Sequence, residues 1–236
     1  MSTSISNTEI KINQQAFIDE LLNDYKLMCL SREASLLGRK EVLTGKAKFG
    51  IFGDGKELPQ IVMSKFFQNG DIRSGYYRDQ TFMLAIGNLT IKQFFAGLYA
   101  HTNIEKEPTS GGRQMGGHFS TKFIDEEGKW LDLVNQKNST SDISPTAAQM
   151  PRLIGLGLAS KVYRNNKELS HLTNFSNNGK EIAFGTIGDA STSEGIFWES
   201  INAACVLEIP VVMSIWDDGY GMSVPKKYQT TKESIS

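Results

Sequence analysis

The fold is decided by residues 181–218, EIAFGTIGDASTSEGIFWESINAACVLEIPVVMSIWDD. Residues 181–187 and 211–216 are apolar runs of the length of buried strands. Residues 193–207 between them predict a helix, with one face formed by Ile196, Phe197, Ile201, Ala204 and Cys205. A strand, a helix and a strand of these lengths form a parallel βαβ unit with a right-handed crossover. The sequence therefore predicts an α/β fold with a parallel sheet flanked by helices.

Acidic residues follow both predicted strands at the point where each strand ends. Gly188-Asp189 follows the first strand, and Asp217-Asp218 follows the second, about 30 residues later. Ligands of such sheets bind outside the carboxyl ends of the strands, so we expect the two acidic segments to meet in space.

These residues have the chemistry of a magnesium and phosphate site. Carboxylates at Asp189 and Asp218 and a backbone carbonyl of Gly219-Tyr220-Gly221 are ligands that suit magnesium, with phosphate oxygens completing the octahedron. Gly188 would let the backbone approach the phosphates, and free amides at the start of the following helix would donate to them.

The rest of the chain is less regular. Apolar residues at helical spacing predict helices over residues 17–37, 58–67 and 90–99, and residues 71–77 predict a short strand. The apolar stripe of the first helix consists of Phe17, Leu21, Leu22, Tyr25, Met28 and Cys29. Ser144-Pro145 predicts the start of another helix, with a kink at Pro151. Residues 45–55 predict a glycine-rich loop. Residues 107–140 predict a long irregular segment, which is typical of a functional or disordered region and is hypothesised to be ordered only with a cofactor or partner.

Composition excludes some functions. The 236 residues have a net charge of -1 and a pI of about 6.3, so no electrostatic argument favours nucleic acid or an anionic membrane. No apolar run approaches about 18 residues, and residues 1–7 lack the apolar segment of a secretory signal. A cytoplasmic protein without a membrane span is expected. Cys29 and Cys205 are expected to be buried free thiols.

Four ordered segments resemble a known family. Gly188-Asp189-Ala190 and Asp217-Asp218, separated by a helix, resemble the thiamine diphosphate motif, which opens with Gly-Asp-Gly and closes with Asn-Asn. Residues 76–79 (YYRD), 112–118 (GRQMGGH) and 143–146 (ISPT) resemble segments of the α subunit of thiamine diphosphate-dependent 2-oxo-acid dehydrogenases, the E1 component. The resemblance covers about residues 50–225. Arg113-Gln114-Met115 is more similar to the branched-chain enzymes than to the pyruvate enzymes.

The resemblance implies a domain organisation and a set of site residues. A helical N-terminal extension is expected over residues 1–45, and a thiamine diphosphate-binding α/β domain over residues 46–236. The implied roles are magnesium binding by Asp189, Asp218 and Tyr220, cofactor binding by Tyr77, Arg78, Ser144, Thr146, Gly188 and Ala190, and catalysis by His118. Tyr77, Arg78 and Gly188 would contact the diphosphate.

The chain also departs from the family pattern. Ala190 replaces the second glycine of the motif, which an alanine can mimic where the backbone is not left-handed. Asp217-Asp218 replaces Asn-Asn, and the extra carboxylate should tighten magnesium binding but repel diphosphate. Thr146 replaces a larger apolar residue. Family members continue past the position of Ser236 through a segment with a further catalytic His. This chain is therefore expected to be the N-terminal portion of an α subunit or part of an α–β fusion.

The implied activity is the oxidative decarboxylation of a branched-chain 2-oxo acid, with acyl transfer to a lipoyl-bearing acyltransferase. The cofactor would lie between α and β parts in an α2β2-type assembly, and the β part would supply the glutamate that activates it. Two alternatives stay open. A transketolase-like enzyme would use the same cofactor on sugar phosphates, although residues 113–115 disfavour it. A non-catalytic subunit would only support assembly.

Simpler interpretations exist for single residues and for two glycine motifs. Asp189 could be a helix-start carboxylate, and Asp217-Asp218-Gly219 a simple turn. Arg78 could form a surface ion pair, and His118 could be a loop histidine without a role. Gly53-Asp54-Gly55 spells the cofactor triplet but follows no predicted buried strand, so it is interpreted as a turn into the next helix. Gly155-Leu156-Gly157 could open a dinucleotide motif, but it lies within a helical pattern, where helix packing explains the glycines better.

Overall fold

The protein contains a sheet of four parallel strands. The computed structural model describes residues 14–231 and 234–235, so the segment 1–7 considered as a secretory signal lies outside the described residues. The spatial order is β2-β1-β3-β4, with bounds β1 Ile72–Ser74, β2 Asn138–Ser139, β3 Ala183–Gly188 and β4 Val211–Trp216. The predicted α/β fold with a parallel sheet is confirmed.

The βαβ unit joins β3 to β4 through α6 Gly195–Leu207, as the sequence predicts. A short 3-10 helix, Ala190–Ser193, connects β3 to α6. Gly188 pairs in register with Trp216, so both strands end at the same level of the sheet. The residues that follow them, including Asp189 and Asp217, therefore leave the sheet at one edge.

Helices cover both faces of the sheet. In the part of the chain that the structure describes, the other five α-helices are α1 Gln14–Leu43, α2 Glu57–Phe66, α3 Gln80–Ala85, α4 Ile91–Leu98 and α5 Gln149–Asn165. Side chains of β3 alternate between the faces because successive residues of a strand point to opposite sides. Phe184 joins the core formed with α1 to α4, whereas Ala183 and Ile187 join the core formed with α5 and α6.

The expected apolar stripe of α1 is present but does not face the core. Phe17, Leu21, Leu22 and Tyr25 are all about half exposed or more. The helix instead buries small residues, namely Ser31, Ala34, Ser35 and Gly38. Apolar spacing identifies a helical face but not the surface that covers it, and no described element covers this stripe.

Buried hydrogen bonds join α1 to the sheet domain. The Ser31 hydroxyl lies 2.7 Å from the Thr81 hydroxyl, and Gln80 Nε2 donates to the Ser31 carbonyl. Gln80 and Thr81 both belong to α3, Gln80–Ala85. The division of the chain at residue 45 stays a prediction.

The helix predicted from Ser144-Pro145 starts later than expected. The α5 helix begins at Gln149, because Ala147 has a left-handed φ of 60° that interrupts helical geometry. Pro151 thus lies in the first turn of α5 and not in mid-helix, where its missing amide removes no intrahelical hydrogen bond. The helix predicted over residues 90–99 is confirmed as α4, and Thr90 caps its start by accepting from the Gln93 amide.

The expectation of buried thiols is wrong. Cys29 and Cys205 are both free and exposed. The α6 helix buries Phe197 and Ser200, so its packed face is narrower than the predicted one, and Cys205 lies outside it. The described residues thus leave a thiol exposed on α1 and another on α6.

The loops follow the prediction. Residues 45–55 form turns, and residues 107–140 form turns apart from β2 and one bridge between Ile124 and Trp130. The buried carboxylate of Glu107 orders the start of the second loop by accepting from the amides of Thr109, Ser110 and Gly112. After β4, the strands β5 Tyr220–Gly221 and β6 Val224–Pro225 form a small hairpin. Among the described residues, no helix is long and apolar enough to cross a membrane.

Two glycines of α5 provide a matched test of the packing between this helix and the sheet. A Cβ on Gly157 would lie 2.6 Å from Val211 Cγ1 and 3.2 Å from Ile209 Cδ1, whereas a Cβ on Gly155 would meet nothing within 4 Å. We expect Gly157→Ala to lower the free energy of unfolding by about 1–3 kcal/mol through overpacking. Gly155→Ala should raise it by up to about 1 kcal/mol through helix propensity. Urea denaturation measures both, and equal effects would contradict the packing interpretation.

Candidate functional site

A pocket of about 380 Å³ lies at the carboxyl edge of the sheet. Segments preceding α3 and α5, the end of β3 and the β5–β6 hairpin form its walls. Nine of the ten predicted site residues line it, namely Tyr77, Arg78, His118, Ser144, Thr146, Gly188, Asp189, Ala190 and Tyr220. The tenth, Asp218, lies beside the pocket, where its Oδ2 is 2.9 Å from Arg78 Nη2. The structure thus brings together segments that are far apart in sequence.

A fully buried ion network lies beneath the pocket. Arg73 on β1 places its Nε 2.7 Å from Asp79 Oδ2, and its terminal nitrogens lie 3.0 Å from the two oxygens of Asp142. Asp79 also accepts hydrogen bonds from the Thr186 hydroxyl on β3 and from Trp216 Nε1 on β4. The two carboxylates raise the pKa of Arg73 against the opposing effect of burial, so the guanidinium stays charged.

This network positions the segment that carries Tyr77 and Arg78. Arg73 Nη2 donates to the Tyr76 carbonyl, and the Tyr76 amide donates to Asp79 Oδ2. The intervening Gly75 is required by space, because a Cβ there would lie 2.0 Å from Asp79 Oδ2 and 2.5 Å from Arg73 Nε. Both ends of the segment are therefore held by groups that cannot move without breaking a buried ion pair.

The buried Asp189 carboxylate lacks part of its hydrogen bonding. The residue is only 2% exposed, and its Oδ2 has no hydrogen-bond partner among the described residues. Burial raises the pKa of the Asp189 carboxyl, and the nearby charges of Asp218 and Asp217 raise it further. A buried carboxylate oxygen without a partner is costly, so Oδ2 is an open ligand position at the end of β3.

Other polar atoms around the pocket also lack partners. The Tyr76 hydroxyl, Arg78 Nε, Gln229 Oε1 and Asp142 Oδ1 make no hydrogen bond within the described part of the chain, although Asp142 Oδ1 lies 3.0 Å from Arg73 Nη1 as an ion pair. A Cβ at Gly188 would lie 3.3 Å from the Tyr76 hydroxyl, so the absence of a side chain keeps this corner open. The pocket therefore combines an unpartnered carboxylate oxygen with unpartnered donors, which suits a ligand that contains both a cation and an anion.

The two aspartates after β4 have different partners. Asp217 pairs with Lys226, which lowers the pKa of Asp217, and it accepts the Gly219 amide at 2.9 Å. Asp218 pairs instead with Arg78. In residues 14–231 and 234–235, no three His, Cys, Asp or Glu side chains form a group that could hold a metal by themselves. A metal here would need ligands other than side chains, such as backbone carbonyls or phosphate oxygens.

The replacement of a motif glycine by Ala190 is sterically allowed. Ala190 is not among the residues with positive φ, because it begins the 3-10 helix that follows Asp189. Ala147 on the opposite wall is different, since it is buried and has a φ of 60°. Non-glycine residues in this conformation cost free energy and are concentrated at functional sites.

His118 is oriented by two hydrogen bonds. Its Nδ1 lies 3.1 Å from the Met115 carbonyl, which can only accept, so Nδ1 carries a proton. The neutral ring then has an unprotonated Nε2, which accepts from the Ser144 hydroxyl at 3.0 Å. Ser144 is thereby engaged with His118 and does not cap a helix.

Sequence reasoning missed the residues that support the site. Arg73, Asp79, Asp142, Thr186 and Trp216 form the buried network, and Gln229 lines the pocket. One available signal is a charged residue within an otherwise buried short strand, as at Arg73, because such a charge requires a buried partner. The identity of that partner depends on the tertiary structure.

The Gly53-Asp54-Gly55 triplet lies outside the pocket. Asp54 Oδ1 pairs with Arg39 Nη2 at 2.7 Å, and the Gly55 amide donates to Glu57 at the start of α2. The interpretation as a turn into the next helix is confirmed. Gly155 and Gly157 lie within α5, which confirms their helical context.

Comparison with known proteins identifies the family. Residues 25–236 match the family described as "Dehydrogenase E1 component". The chain belongs to this family. It is 30% identical over 223 residues to the 2-oxoisovalerate dehydrogenase subunit alpha of Bacillus subtilis, covering 92% of this chain and 57% of the relative.

More distant relatives have the same name. The mitochondrial 2-oxoisovalerate dehydrogenase subunit alpha of Caenorhabditis elegans is 24% identical over 192 residues, covering 81% of this chain and 37% of the relative. The human mitochondrial subunit is 22% identical over 218 residues, covering 92% of this chain and 42% of the relative. The chain thus spans about half the length of the curated relatives it matches.

The pocket fits the cofactor that the E1 family implies, thiamine diphosphate. The unpartnered Asp189 oxygen suits a cation, and the Arg78 guanidinium suits a diphosphate. Gly188 adds open backbone at the same edge. This fit rests on groups from β3 and from the segment before α3, which the buried network holds together.

The tryptophans provide a test of the buried network. We expect Trp216→Phe to reduce the free energy of unfolding by about 2–4 kcal/mol, because Asp79 Oδ1 loses its 2.8 Å donor and a charged group is left under-satisfied. Trp198→Phe on the exposed side of α6 should change it by less than about 0.5 kcal/mol. Equal losses in guanidinium denaturation would contradict a stabilising role for the Trp216–Asp79 hydrogen bond.

The environment of Asp189 predicts a stability that depends on pH. A raised pKa in the folded state favours folding at acidic pH, and this contribution is lost as the pH rises through that pKa. Asp189→Asn should therefore raise the Tm of the ligand-free protein by a few degrees at pH 7–8. The gain should shrink as the pH falls toward the ordinary aspartate range near 4. Thermal melts at several pH values measure this, and a lower Tm of the variant at pH 8 would contradict it.

Proposed function

We propose that this chain binds thiamine diphosphate through a magnesium ion, as the α part of a branched-chain 2-oxo-acid dehydrogenase E1 component. The observation that carries the proposal is the buried, unpartnered Asp189 carboxylate oxygen in a pocket that also contains Arg78. The names of the relatives and the similarity of residues 112–118 to the branched-chain enzymes support this substrate class.

In this proposal, magnesium is bound by carboxylate oxygens of Asp189 and Asp218 and by the backbone carbonyl of Tyr220. The phosphate oxygens of the cofactor supply further ligands, as is usual for this hard cation. The raised pKa of Asp189 supports the assignment, because its causes, burial and the neighbouring aspartates, are ones that a bound dication would offset.

The diphosphate is assigned to Tyr77, Arg78 and the backbone at Gly188. The Tyr77 hydroxyl accepts from Arg78 Nη2 at 3.1 Å, so the two side chains form one polar surface. Ser144, Thr146 and Ala190 line the rest of the pocket and would contact the remainder of the cofactor.

His118 is assigned to substrate or acyl-transfer chemistry. Its Nδ1–H is held by the Met115 carbonyl, so its Nε2 is the atom that can accept a proton or, once protonated, donate one to a substrate oxygen. When bound, thiamine diphosphate supplies the electron sink that decarboxylation of a 2-oxo acid requires. The protein orients the substrate beside it and excludes water.

We further propose that the chain works in an α2β2-type assembly with a β part, separate or fused, which supplies the activating glutamate. A lipoyl-bearing acyltransferase would receive the acyl group. The exposed apolar stripe of α1 supports a protein partner, because large exposed apolar patches mark interaction surfaces. A cytoplasmic location stays a prediction.

Calorimetric titration tests the cofactor assignment. Thiamine diphosphate is titrated into the chain, alone and with a co-expressed β part, in magnesium and in EDTA. We expect saturable binding that requires magnesium and falls at least about 100-fold in Asp189→Ala, since the metal loses a charged ligand. Asp54→Ala is the matched control, because Asp54 lies in the Gly53-Asp54-Gly55 triplet, outside the pocket, and binding should be retained.

The outcomes separate the alternatives. Absence of binding in every format, with the protein folded, would refute the cofactor assignment. Binding without decarboxylation of any 2-oxo acid in the presence of the β part would favour a non-catalytic subunit. Turnover of sugar phosphates in place of 2-oxoisovalerate would favour a transketolase-like enzyme.

A further inference from the structure

The residues proposed for the cation and for the diphosphate are bonded to each other. Arg78 Nη2 lies 2.9 Å from Asp218 Oδ2, and their side chains are 16% and 32% exposed. Arg78 is the proposed ligand of an anion and Asp218 that of a cation. Each residue is therefore already paired with a side chain that has the same sign of charge as its proposed ligand.

The rest of the Arg78 side chain is held in place. Its guanidinium carbon lies 5.3 Å from the centre of the Tyr77 ring, and its Nη2 also donates to the Tyr77 hydroxyl at 3.1 Å. Its Nε is buried without a partner among the described residues. The side chain is thus fixed beside the pocket, with unused donor capacity, and Asp218 is its carboxylate partner.

The neighbouring Asp217 differs in this respect. Its Oδ2 pairs with Lys226, and its Oδ1 accepts the Gly219 amide. Asp218 Oδ1 accepts the Tyr220 amide at 3.4 Å, a bond that an asparagine oxygen could also accept. The distinctive property of an aspartate at position 218 is therefore the ion pair with Arg78.

We propose that the Arg78–Asp218 ion pair is a latch that couples magnesium and diphosphate binding, a role that rests on the function proposed above. A cation bound at Asp218 releases Arg78 to bind the diphosphate, and a diphosphate bound at Arg78 releases Asp218 to bind the cation. A cation or a diphosphate that binds alone breaks the ion pair but supplies a new partner to only one of its two residues.

The surrounding charges strengthen this coupling. A diphosphate that binds Arg78 without a cation leaves Asp218 unpaired close to Asp189, whose Oδ2 already lacks a partner. The anion itself adds further negative charge at the same edge of the sheet. Coupling between two ligands is reciprocal and typically amounts to about 5–150-fold in affinity. The latch therefore selects the magnesium–diphosphate pair over free diphosphate.

Inorganic pyrophosphate is the probe for the anion side of the latch. Its affinity is measured calorimetrically in EDTA and in magnesium, on the protein co-expressed with its β part. We expect Asp218→Asn to raise the magnesium-free affinity about ten-fold or more, because Arg78 is released and a repulsive charge is removed. Asp217→Asn is the control, because it removes the same charge one residue away without touching the Arg78 ion pair. If the ion pair and not the net charge is responsible, this variant should change the magnesium-free pyrophosphate affinity by less than about three-fold.

A double-mutant cycle isolates the pair itself. In the Arg78→Gln background, Asp218→Asn should lose most of its effect on magnesium-free pyrophosphate affinity. The cation side gives the reciprocal result, since Arg78→Gln should raise the affinity for magnesium alone by several-fold by freeing Asp218. A purely structural role for the ion pair would lower both affinities, and circular dichroism verifies that each variant is folded.

Two results overturn the latch while leaving the proposed function intact. One is wild-type binding of pyrophosphate with magnesium but no gain in Asp218→Asn without it. The other is an equal gain in Asp217→Asn, which would reduce the effect to net charge. Failure of the folded wild-type protein to bind pyrophosphate even with magnesium would overturn both the latch and the proposed site.

Discussion

The buried ion pair between Arg73 and Asp79 is the interaction on which the rest of the structure depends. Arg73 belongs to β1, and Asp79 also bonds Thr186 of β3 and Trp216 of β4, so one carboxylate connects three adjacent strands. Breaking such a pair leaves an uncompensated buried charge, at a cost of about 3–5 kcal/mol. Replacing it by apolar residues could preserve stability, so its role is better understood as fixing one arrangement at the carboxyl edge. Gly75 is present because the pair leaves no room for a Cβ.

The site above this network contains buried polar atoms that lack hydrogen-bond partners. The network pairs its charges with one another, whereas the buried Oδ2 of Asp189 and the buried Nε of Arg78 have no partner among the described residues. A rigid, satisfied layer thus supports an unsatisfied one, which is how a protein can hold binding groups in place before the ligand arrives. The Arg78–Asp218 pair partly neutralises this upper layer. An asparagine at position 218 could not form this ion pair. The pair therefore distinguishes this chain from a motif that ends in Asn-Asn.

The outer surface supports the proposed assembly. The α1 helix buries small residues against α3 and exposes its large apolar residues, and Trp198 on α6 is also half exposed. The strand β4 forms an edge of the sheet and has a neighbour on one side only among the described residues. Both features leave apolar surface that neighbouring polypeptide could bury, in agreement with a cofactor site that is shared between parts.

The β3–α6–β4 unit, the parallel sheet and the proximity of Asp189 to Asp218 could all be predicted from the sequence. These follow from local periodicity and from the rule that parallel strands end at one edge, which need no knowledge of distant contacts. Contacts between distant parts of the chain determine which face of α1 is buried, where α5 begins and which partner each charge has. The α5 start depends on the φ of Ala147, and the partner of Arg73 depends on packing between strands far apart in sequence. Apolar spacing and residue type show which side chains must be buried or paired with an opposite charge. Which side chain becomes the partner depends on which residues the fold brings close together.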